Sequence, residues 1–277
     1  MKSNAEIRRE SLSCVTQGKW FFRLLIAGVV FGGLSGIVDE LINAFYKANG
    51  IQTWFNFIQA KATAASQGLV YTLPSSSEMF QMHGALIFST FIKLIFVGIS
   101  YVAVAGVYLK AAKRSEERWF SDALSVFARP LGCAWLAFVV FLRIGLWTLL
   151  FIVPGIVACY RYSQVWNIKA EHPDWGASQC IAESARLMKG FKMRRLKLDV
   201  SFVSWIFIVL IFAFATFMLG GCMEPGMCSR AIILCGSLIS MVACIFISVW
   251  MAAARAVFYR SVCDEEAAAE SADGAIS

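Results

Sequence analysis

Long apolar blocks with few charged residues restrict what this chain can fold into more than any other feature. A bilayer core about 30 Å thick is crossed by about 20 helical residues. The blocks are continuous, whereas the strands of a membrane barrel alternate apolar and polar residues. Hydrophobic residues make up 59% of the 277 positions and charged residues only 16%, against roughly 25% charged in soluble domains. We therefore predict an all-α, polytopic membrane helical bundle that forms a single domain over residues 1–277.

Six blocks have the length and composition of transmembrane helices. The stretch 131–168 is too long for one ordinary span, and Pro154-Gly155 inside it favours a turn or a break. We therefore divide this stretch into a third and a fourth span. The predicted spans are 22–38, 84–109, 131–150, 152–168, 200–219 and 231–258.

The distribution of lysine and arginine predicts that both termini lie in the cytoplasm. These residues are concentrated before the first span, in the connection after the second span and in the connection before the fifth span. The opposite side carries only Lys47, Lys61 and Arg230. An even number of crossings must then separate the two basic connections. Either two full spans or a re-entrant hairpin within 131–168 satisfies that condition.

Three segments outside the spans place apolar residues at helical spacing, which is typical of amphipathic helices at a membrane interface. The second and third segments cover about 119–129 and 178–189. The tail, 264–277, is acidic and rich in alanine and serine, so we predict that it is disordered. The apolar residues of the first segment are Ile51, Trp54, Phe55 and Ile58.

The formal net charge of +7 indicates which partners suit the chain. In a membrane protein, basic connections stay on the cytoplasmic side and contact anionic lipids. We therefore expect lipids of the anionic inner leaflet as partners, and no nucleic acid. A basic patch leads into the fifth span, where we predict that it binds anionic lipid and anchors this region to the inner leaflet. The patch consists of Lys192, Arg194, Arg195 and Lys197.

Three cationic residues, Lys93, Arg143 and Arg161, lie well inside predicted spans, and no acidic residue lies as deep. A charge at bilayer depth costs several kcal/mol, so it usually faces protein or water. One interpretation is a cationic pocket for a lipid phosphate or another anion. The alternative is that these side chains snorkel to the interface, or that Arg143 pairs with Asp39 or Glu40 near the outer end of the first span.

The first span contains Gly28, Gly32 and Gly36, a repeated spacing that places three glycines on one helix face. Because glycine has no side chain, such a face lets another helix approach closely, which strengthens packing in lipid. We predict that these glycines form a helix-packing face. Such a face could bind a second copy of the chain or another membrane protein.

Side chains that can carry chemistry are sparse. The two histidines, His83 and His172, fall on opposite sides of the predicted membrane, so they cannot share a metal site or a catalytic relay. We therefore expect neither a metal nor a cofactor, and no enzymatic activity. Cys222 and Cys228 lie in the loop predicted to face outwards, where an oxidising compartment would let them form a disulfide.

Several short runs in the second half of the chain match the pattern of a known family. They are Pro154-Gly155-Ile156, Tyr160-Arg161-Tyr162-Ser163, AESARLMKG at 182–190, Leu198-Asp199-Val200-Ser201-Phe202 and ARAVFYR at 254–260. With these runs the chain resembles an integral membrane family of bacteria, domain of unknown function 975. The resemblance implies a multi-pass protein of the bacterial cytoplasmic membrane. That family has no established activity, so the resemblance implies no reaction.

The sequence favours a non-enzymatic role in the membrane. We predict a protein that organises the membrane and binds lipids or partner proteins through its interfacial helices and its helical bundle. The alternative is a transporter or flippase for an anionic or amphiphilic solute, which predicts a polar cavity lined by Lys93, Arg143 and Arg161. Against this alternative, the spans carry few polar groups and no acidic residue that could relay protons.

Overall fold

The computed structural model describes residues 2–16, 18–49, 51, 53–67, 74–114, 119–221 and 227–274. Within these ranges the secondary structure is helical and contains no strand, which confirms the all-α class. The helices are α1 Asn4–Thr16, α2 Gly18–Ala48, α3 Trp54–Ser66, α4 Ser76–Lys113, α5 Trp119–Ser125, α6 Pro130–Leu150, α7 Ile152–Arg161, α8 Val165–Glu171, α9 Ala177–Leu187, α10 Lys192–Gly221 and α11 Met227–Gly274.

Among the described residues, five helices are long and apolar enough to cross a membrane, which confirms a membrane helical bundle. They are α2 from Trp20, α4, α6, α10 and the part of α11 over Arg230–Ala269. Their outward faces are apolar: on α10, for example, Phe207, Ile211 and Phe214 are exposed. Exposed apolar faces of this length are stable where hydrocarbon, not water, is the solvent.

The structure differs from the six predicted spans at 152–168, which is not one transmembrane helix. The chain turns at Phe151, and α7 has only 10 residues, a rise of about 15 Å and half of a bilayer core. After a break, α8 adds 7 residues. Arg129 before α6 forms an ion pair with Asp174 after α8, so the two ends of this segment lie together. The segment is therefore a helical hairpin with one continuous arm and one broken arm.

Close contact in this hairpin depends on Gly155. A Cβ atom at Gly155 would lie 2.8 Å from the Cα atom of Thr148 on α6, which is closer than side chains pack. Pro154 lies in the first turn of α7, where its missing N–H has no helical partner to lose. The break thus comes at Phe151, three residues before the proline that signalled it.

Helix α4 forms the centre of the bundle and contacts α2, α6, α8 and α11. At one end, Lys113 of α4 pairs with Glu171 of α8, and the Tyr259 hydroxyl of α11 donates a 2.6 Å hydrogen bond to the same carboxylate. Nearby, Arg260 donates a 2.6 Å bond to the carbonyl of Ala112. We call this end, defined by Lys113, Glu171 and Tyr259, the basic end of the bundle.

The predicted glycine face of α2 is only partly a packing face. A Cβ atom at Gly28 would lie 3.7 Å from the Tyr108 hydroxyl of α4, whereas one at Gly36 would have no described neighbour within 4 Å. The surroundings of Gly32 lie outside the described part of the structure. A closer approach to a neighbouring helix is made by Gly98 of α4, where a Cβ atom would lie 2.9 Å from the carbonyl carbon of Cys133 on α6.

The amphipathic segments differ in their environments. The predicted third segment forms α9, which buries Cys180, Ile181 and Leu187 against protein, in contact with α8 and α6, and does not present them to lipid. Helix α1, which the sequence did not predict, packs along α11. The Trp250 indole donates to the Ser11 hydroxyl of α1 at 3.1 Å.

The tail prediction was wrong for residues 264–274, because α11 continues through them to Gly274. Alanine has the highest intrinsic helix propensity, and this tail is rich in it. An ion pair also supports the extension: Arg186 of α9 donates to Glu266 of α11, with one nitrogen–oxygen distance of 3.1 Å. Glu266 of the tail thus pairs with Arg186 of α9.

Candidate functional site

A cavity of about 810 Å³ opens at the basic end of the bundle. Three elements surround it: the last turns of α4, helix α5 with the 3₁₀ turn Val126–Ala128 that follows it, and the end of α8 with the loop beyond. This volume lies within the range of about 300–1,000 Å³ that is usual for small-molecule sites.

The cavity combines apolar walls with a charged rim. Its apolar side is formed by small or apolar residues of α4, α5 and α6, namely Val102, Ala103, Gly106, Ala123 and Cys133. Four cationic side chains and two carboxylates complete the lining, so the cavity attracts anions overall. These charged residues are Lys110, Lys113, Arg129, Lys169, Asp122 and Glu171.

Three ion pairs organise the rim. Lys110 pairs with Asp122, Lys113 with Glu171, and Arg129 with Asp174. The hydrogen bond from Arg129 lowers the pKa of the Asp174 carboxyl below its ordinary value. All three pairs are partly exposed, so each contributes little to stability. Their cations can therefore exchange partners at small cost.

Lys169 differs from the other cations because its side chain is buried. Its ammonium group donates hydrogen bonds of 2.8 Å to the carbonyl of Pro173 and 2.7 Å to that of Trp175. Within the described part of the chain, Lys169 has no carboxylate partner in an ion pair. It therefore holds the loop after α8 in place and adds a positive charge to the cavity wall, near the carboxylate of Asp174.

The loop after α8 is fixed by contacts on both sides of the cavity. His172 stacks on Trp175 with 4.2 Å between ring centroids. Glu171 connects the cavity to α11 because its second oxygen accepts the hydrogen bond from Tyr259. Glu171 thus links the Lys113 ion pair at the rim directly to Tyr259 of α11.

A second cavity, of about 430 Å³, lies on the opposite side of α4. It is bordered by α2, α4, α6 and α11, and its lining is apolar except for a few hydroxyl groups. Leu25, Gly28, Tyr108 and Phe141 belong to it. Its lining contains no charged residue, and the hydroxyls of Ser100, Tyr108 and Ser248 already donate to backbone carbonyls.

The structure does not assemble the predicted pocket of Lys93, Arg143 and Arg161. None of the three lines either cavity described above. Lys93 pairs with Asp39, with a nitrogen–oxygen distance of 3.0 Å. Asp39 was one of the two carboxylates predicted as possible partners of Arg143. The Arg161 guanidinium lies 5.9 Å from the ring centre of Tyr162, and Arg143 is exposed without an ion pair to any described residue.

The basic patch before the fifth predicted span separates into residues with different environments. Arg195 is buried beside Asp199, with a nitrogen–oxygen distance of 3.5 Å. Arg194 lies 3.5 Å from the side-chain oxygen of Asn4 on α1. Lys192 is half-buried and Lys197 is exposed. Only part of this patch is therefore free to face a lipid surface.

The remaining predicted residues lie away from the cavity. Cys222 lies outside the described residues, and Cys228 is exposed near the start of α11. The His83 ring nitrogen contacts the carbonyl of Met79 on α4 at 2.7 Å, far along the chain from His172. No group of three or more histidine, cysteine or acidic side chains in the described part is placed to hold a metal ion.

Comparison with known families accounts for almost the whole chain. The model of the family described as "Protein of unknown function (DUF975)" matches residues 1–266. The chain belongs to this family. The match confirms the resemblance seen in the short sequence runs, and it includes every residue that lines the cavity at the basic end. No curated protein and no solved structure matches the chain.

Sequence reasoning missed the cavity although it identified several of its cations as loop charges. In sequence, Lys110, Lys113 and Arg129 are cations of the connection after the second span, and Lys169 precedes the fifth span, so all four indicate only topology. The available signal was the return of acidic residues in the same connections, Asp122 and Glu171. Cytoplasmic loops that only anchor to anionic lipid gain nothing from carboxylates.

Proposed function

We propose that this protein is a non-enzymatic protein of the bacterial cytoplasmic membrane that binds an anionic lipid at the basic end of its bundle. The observation that carries the proposal is the 810 Å³ cavity, which places four cations at the rim of an apolar wall. A lipid has the same division, with a phosphate at one end and hydrocarbon at the other. The phosphate would meet Lys110, Lys113 and Lys169, and the first part of an acyl chain would lie along α4.

The proposed orientation places the basic end in the cytoplasm, together with both termini. The positive-inside rule supports it, because the cations of α4, α5 and α8 gather at this end. The 17 residues from Lys93 to Lys110 rise about 26 Å in a helix, close to the roughly 30 Å of a bilayer core. The Lys93–Asp39 pair then lies near the outer boundary, which accounts for a charge that the sequence placed deep in the membrane.

The state of the polar groups around the cavity supports binding over catalysis. Both carboxylates of the rim are occupied by lysines. The Ser125 hydroxyl donates to the Asp122 carbonyl at 2.6 Å, so its proton is already committed to a backbone acceptor. His172 is stacked on Trp175. Among the described residues of the rim, no hydroxyl or thiol is hydrogen-bonded to a histidine that could remove its proton.

The transporter alternative has less support. Transport needs a path across the bilayer, and the mid-bundle cavity on the other side of α4 has no charged lining. The residues that would mark a solute path, Lys93, Arg143 and Arg161, do not line either cavity. A lipid held at one end by exchangeable ion pairs fits the geometry without a crossing step.

The test is native mass spectrometry of the protein in a mild detergent, with an anionic and a zwitterionic phospholipid of equal chain length added in turn. The double variant Lys110→Gln, Lys113→Gln should weaken anionic-lipid binding at least about tenfold, since each lysine contributes about 1 kcal/mol or more. Lys189→Gln is the matched control, because Lys189 is an exposed lysine outside the cavity lining. Its binding should change less than about twofold.

Two results would contradict the proposal. Equal loss in the double variant and in Lys189→Gln would show general attraction to the headgroups and no site. Movement of a labelled anionic lipid between the leaflets of protein-containing vesicles, absent from protein-free vesicles, would instead establish the transporter alternative.

A further inference from the structure

A second group of charges lies at the inner faces of α7, α10 and α11, apart from the cavity. Arg195, in the first turns of α10, is 3% exposed, and its Nε atom lies 3.5 Å from Asp199. Arg255 of α11 reaches the other oxygen of Asp199 at 3.6 Å. Tyr160 of α7 lies beside the same carboxylate, and the Arg195 guanidinium lies 5.4 Å from the ring centre of Phe258.

Part of the hydrogen-bonding capacity of this cluster is not used. The Nε and Nη1 atoms of Arg195 and the Oδ1 atom of Asp199 are buried and have no hydrogen-bond partner among the described residues. Both distances to Asp199 exceed the roughly 2.7–2.9 Å of a charge-assisted hydrogen bond. A buried ionised group without partners is costly, so stable proteins pair such groups or fill the space with a ligand.

The charge of the cluster is also unbalanced. Two guanidinium groups share one carboxylate, which leaves one positive charge in excess, and one of the two groups, Arg195, is shielded from water. A bound water molecule would satisfy a donor on Arg195, but it would not neutralise that charge. An anion does both. The N-terminal turns of α10 add the positive end of a 30-residue helix.

We propose that a phosphate group binds between Arg195 and Arg255. The side chain of Arg255 is 46% exposed, so the anion enters from its side and reaches the buried donors of Arg195. Guanidinium groups suit this ligand because their planar donors match two oxygens of one phosphate. The phosphate belongs either to a lipid headgroup or to a soluble phosphate compound. None of these residues lines the cavity at the basic end, so this site is independent of the proposed function.

The experiment measures ligand binding to the full-length protein in lipid nanodiscs and in detergent. One arm compares nanodiscs of an anionic and a zwitterionic phospholipid by native mass spectrometry. The other arm measures the shift in melting temperature that inorganic phosphate produces in detergent, with chloride at the same ionic strength as reference. Binding in the first arm alone identifies a lipid headgroup, and binding in both shows that free phosphate is sufficient.

Arg255→Gln should weaken binding roughly tenfold, because it removes a charged hydrogen-bond donor from the ligand. Lys197→Gln is the matched control, since it removes one positive charge from an exposed position on the same part of α10. It should change binding less than about twofold. Lys113→Gln should remove only lipid bound at the cavity, so the loss of binding caused by Arg255→Gln should be the same with and without Lys113→Gln. This comparison separates failure of this site from failure of the proposed function.

The variant Asp199→Asn distinguishes a ligand site from a structural ion pair. It gives a result even if the Arg255→Gln variant does not fold. If phosphate binds here, removing the competing carboxylate raises affinity roughly tenfold, and the ligand restores the lost melting temperature. Reduced stability with no gain in affinity would overturn the proposal. Equal effects of Arg255→Gln and Lys197→Gln would overturn it too, as would the absence of binding in both arms.

Discussion

The Ser184 hydroxyl of α9 accepts a 3.3 Å hydrogen bond from the backbone N–H of Gln164, at the break between α7 and α8. The same hydroxyl donates a 3.0 Å bond to the carbonyl of Arg161 on the other side of the break. Gln164 is almost fully buried, and its side-chain oxygen accepts a 2.9 Å bond from Asn167. A helix broken inside a protein leaves backbone groups without partners, and one serine satisfies two of them here.

Replacing this serine should loosen the return arm of the hairpin. Ser184→Ala leaves the buried N–H of Gln164 and the partly buried carbonyl of Arg161 without this partner, so we expect a loss of about 1–3 kcal/mol in unfolding free energy. Ser178→Ala is the control, because Ser178 is exposed on the same helix. The measurement is thermal or denaturant unfolding of both variants in the same detergent. Equal stability of the two would show that the break is held by other contacts.

A glycine pair tests the close contact between α6 and α7. Gly155→Ala places a Cβ atom 2.8 Å from the Cα atom of Thr148, and we expect a loss of about 1–3 kcal/mol from overpacking. Gly145→Ala on α6 meets nothing within 4 Å and should stabilise its helix by up to about 1 kcal/mol. Opposite signs in the two melting temperatures are therefore expected. A gain for both would mean that the two arms lie farther apart than this structure has them.

The pH dependence of stability tests the ion pair between Arg186 and Glu183 within α9. Hydrogen bonds from Arg186 lower the pKa of the Glu183 carboxyl, with nitrogen–oxygen distances of 2.6 and 2.9 Å. A lowered folded-state pKa means that the stabilisation is fully present above the unfolded value, about 4.3. It is lost as the pH falls through the folded-state pKa.

We therefore expect Arg186→Gln to lower the melting temperature at pH 7 and to have a shrinking effect as the pH falls below about 4. The effect is small because the side chain of Arg186 is 53% exposed. Arg161→Gln is the control, since Arg161 is exposed and pairs with no described carboxylate. Its effect on the melting temperature should not depend on pH. A pH-independent effect of Arg186→Gln would contradict the role of Glu183.

The sequence predicted those features that a single chain segment determines, and it was less successful where two segments meet. Apolar length alone identified the membrane class and the five long helices, because a bilayer imposes the same length on every span. The fourth predicted span is a broken helix in the structure, and Ser184, 20 residues after Gln164 in the chain, satisfies backbone groups at the break. No local pattern carries that information.

The same distinction applies to the charged residues. Lys93 looked buried and unpaired in sequence because Asp39, its partner, belongs to another helix. Arg195 looked like one member of a surface patch, yet its position against Phe258 and Asp199 makes it a buried group. The disordered tail was predicted from composition, and Arg186 of another helix provides the partner that changes the result. The sequence shows which residues are charged, but their burial and their ion-pair partners depend on how the helices pack.

Accessibility of single cysteines tests the crossing number and the proposed orientation together. Because α6, α7 and α8 form a hairpin whose ends meet through Arg129 and Asp174, the connections before and after it must lie on one side. Each cysteine is tested alone, in a variant from which all other cysteines have been removed. Ser121→Cys and Lys189→Cys should react with a membrane-impermeant maleimide only after the cells are lysed, and not in intact cells. Cys228, near the start of α11 and exposed, should be labelled in intact cells. Labelling of Ser121→Cys and Lys189→Cys from opposite sides would show that 130–171 crosses the membrane an odd number of times, and the cavity that joins α5 to α8 could not then exist.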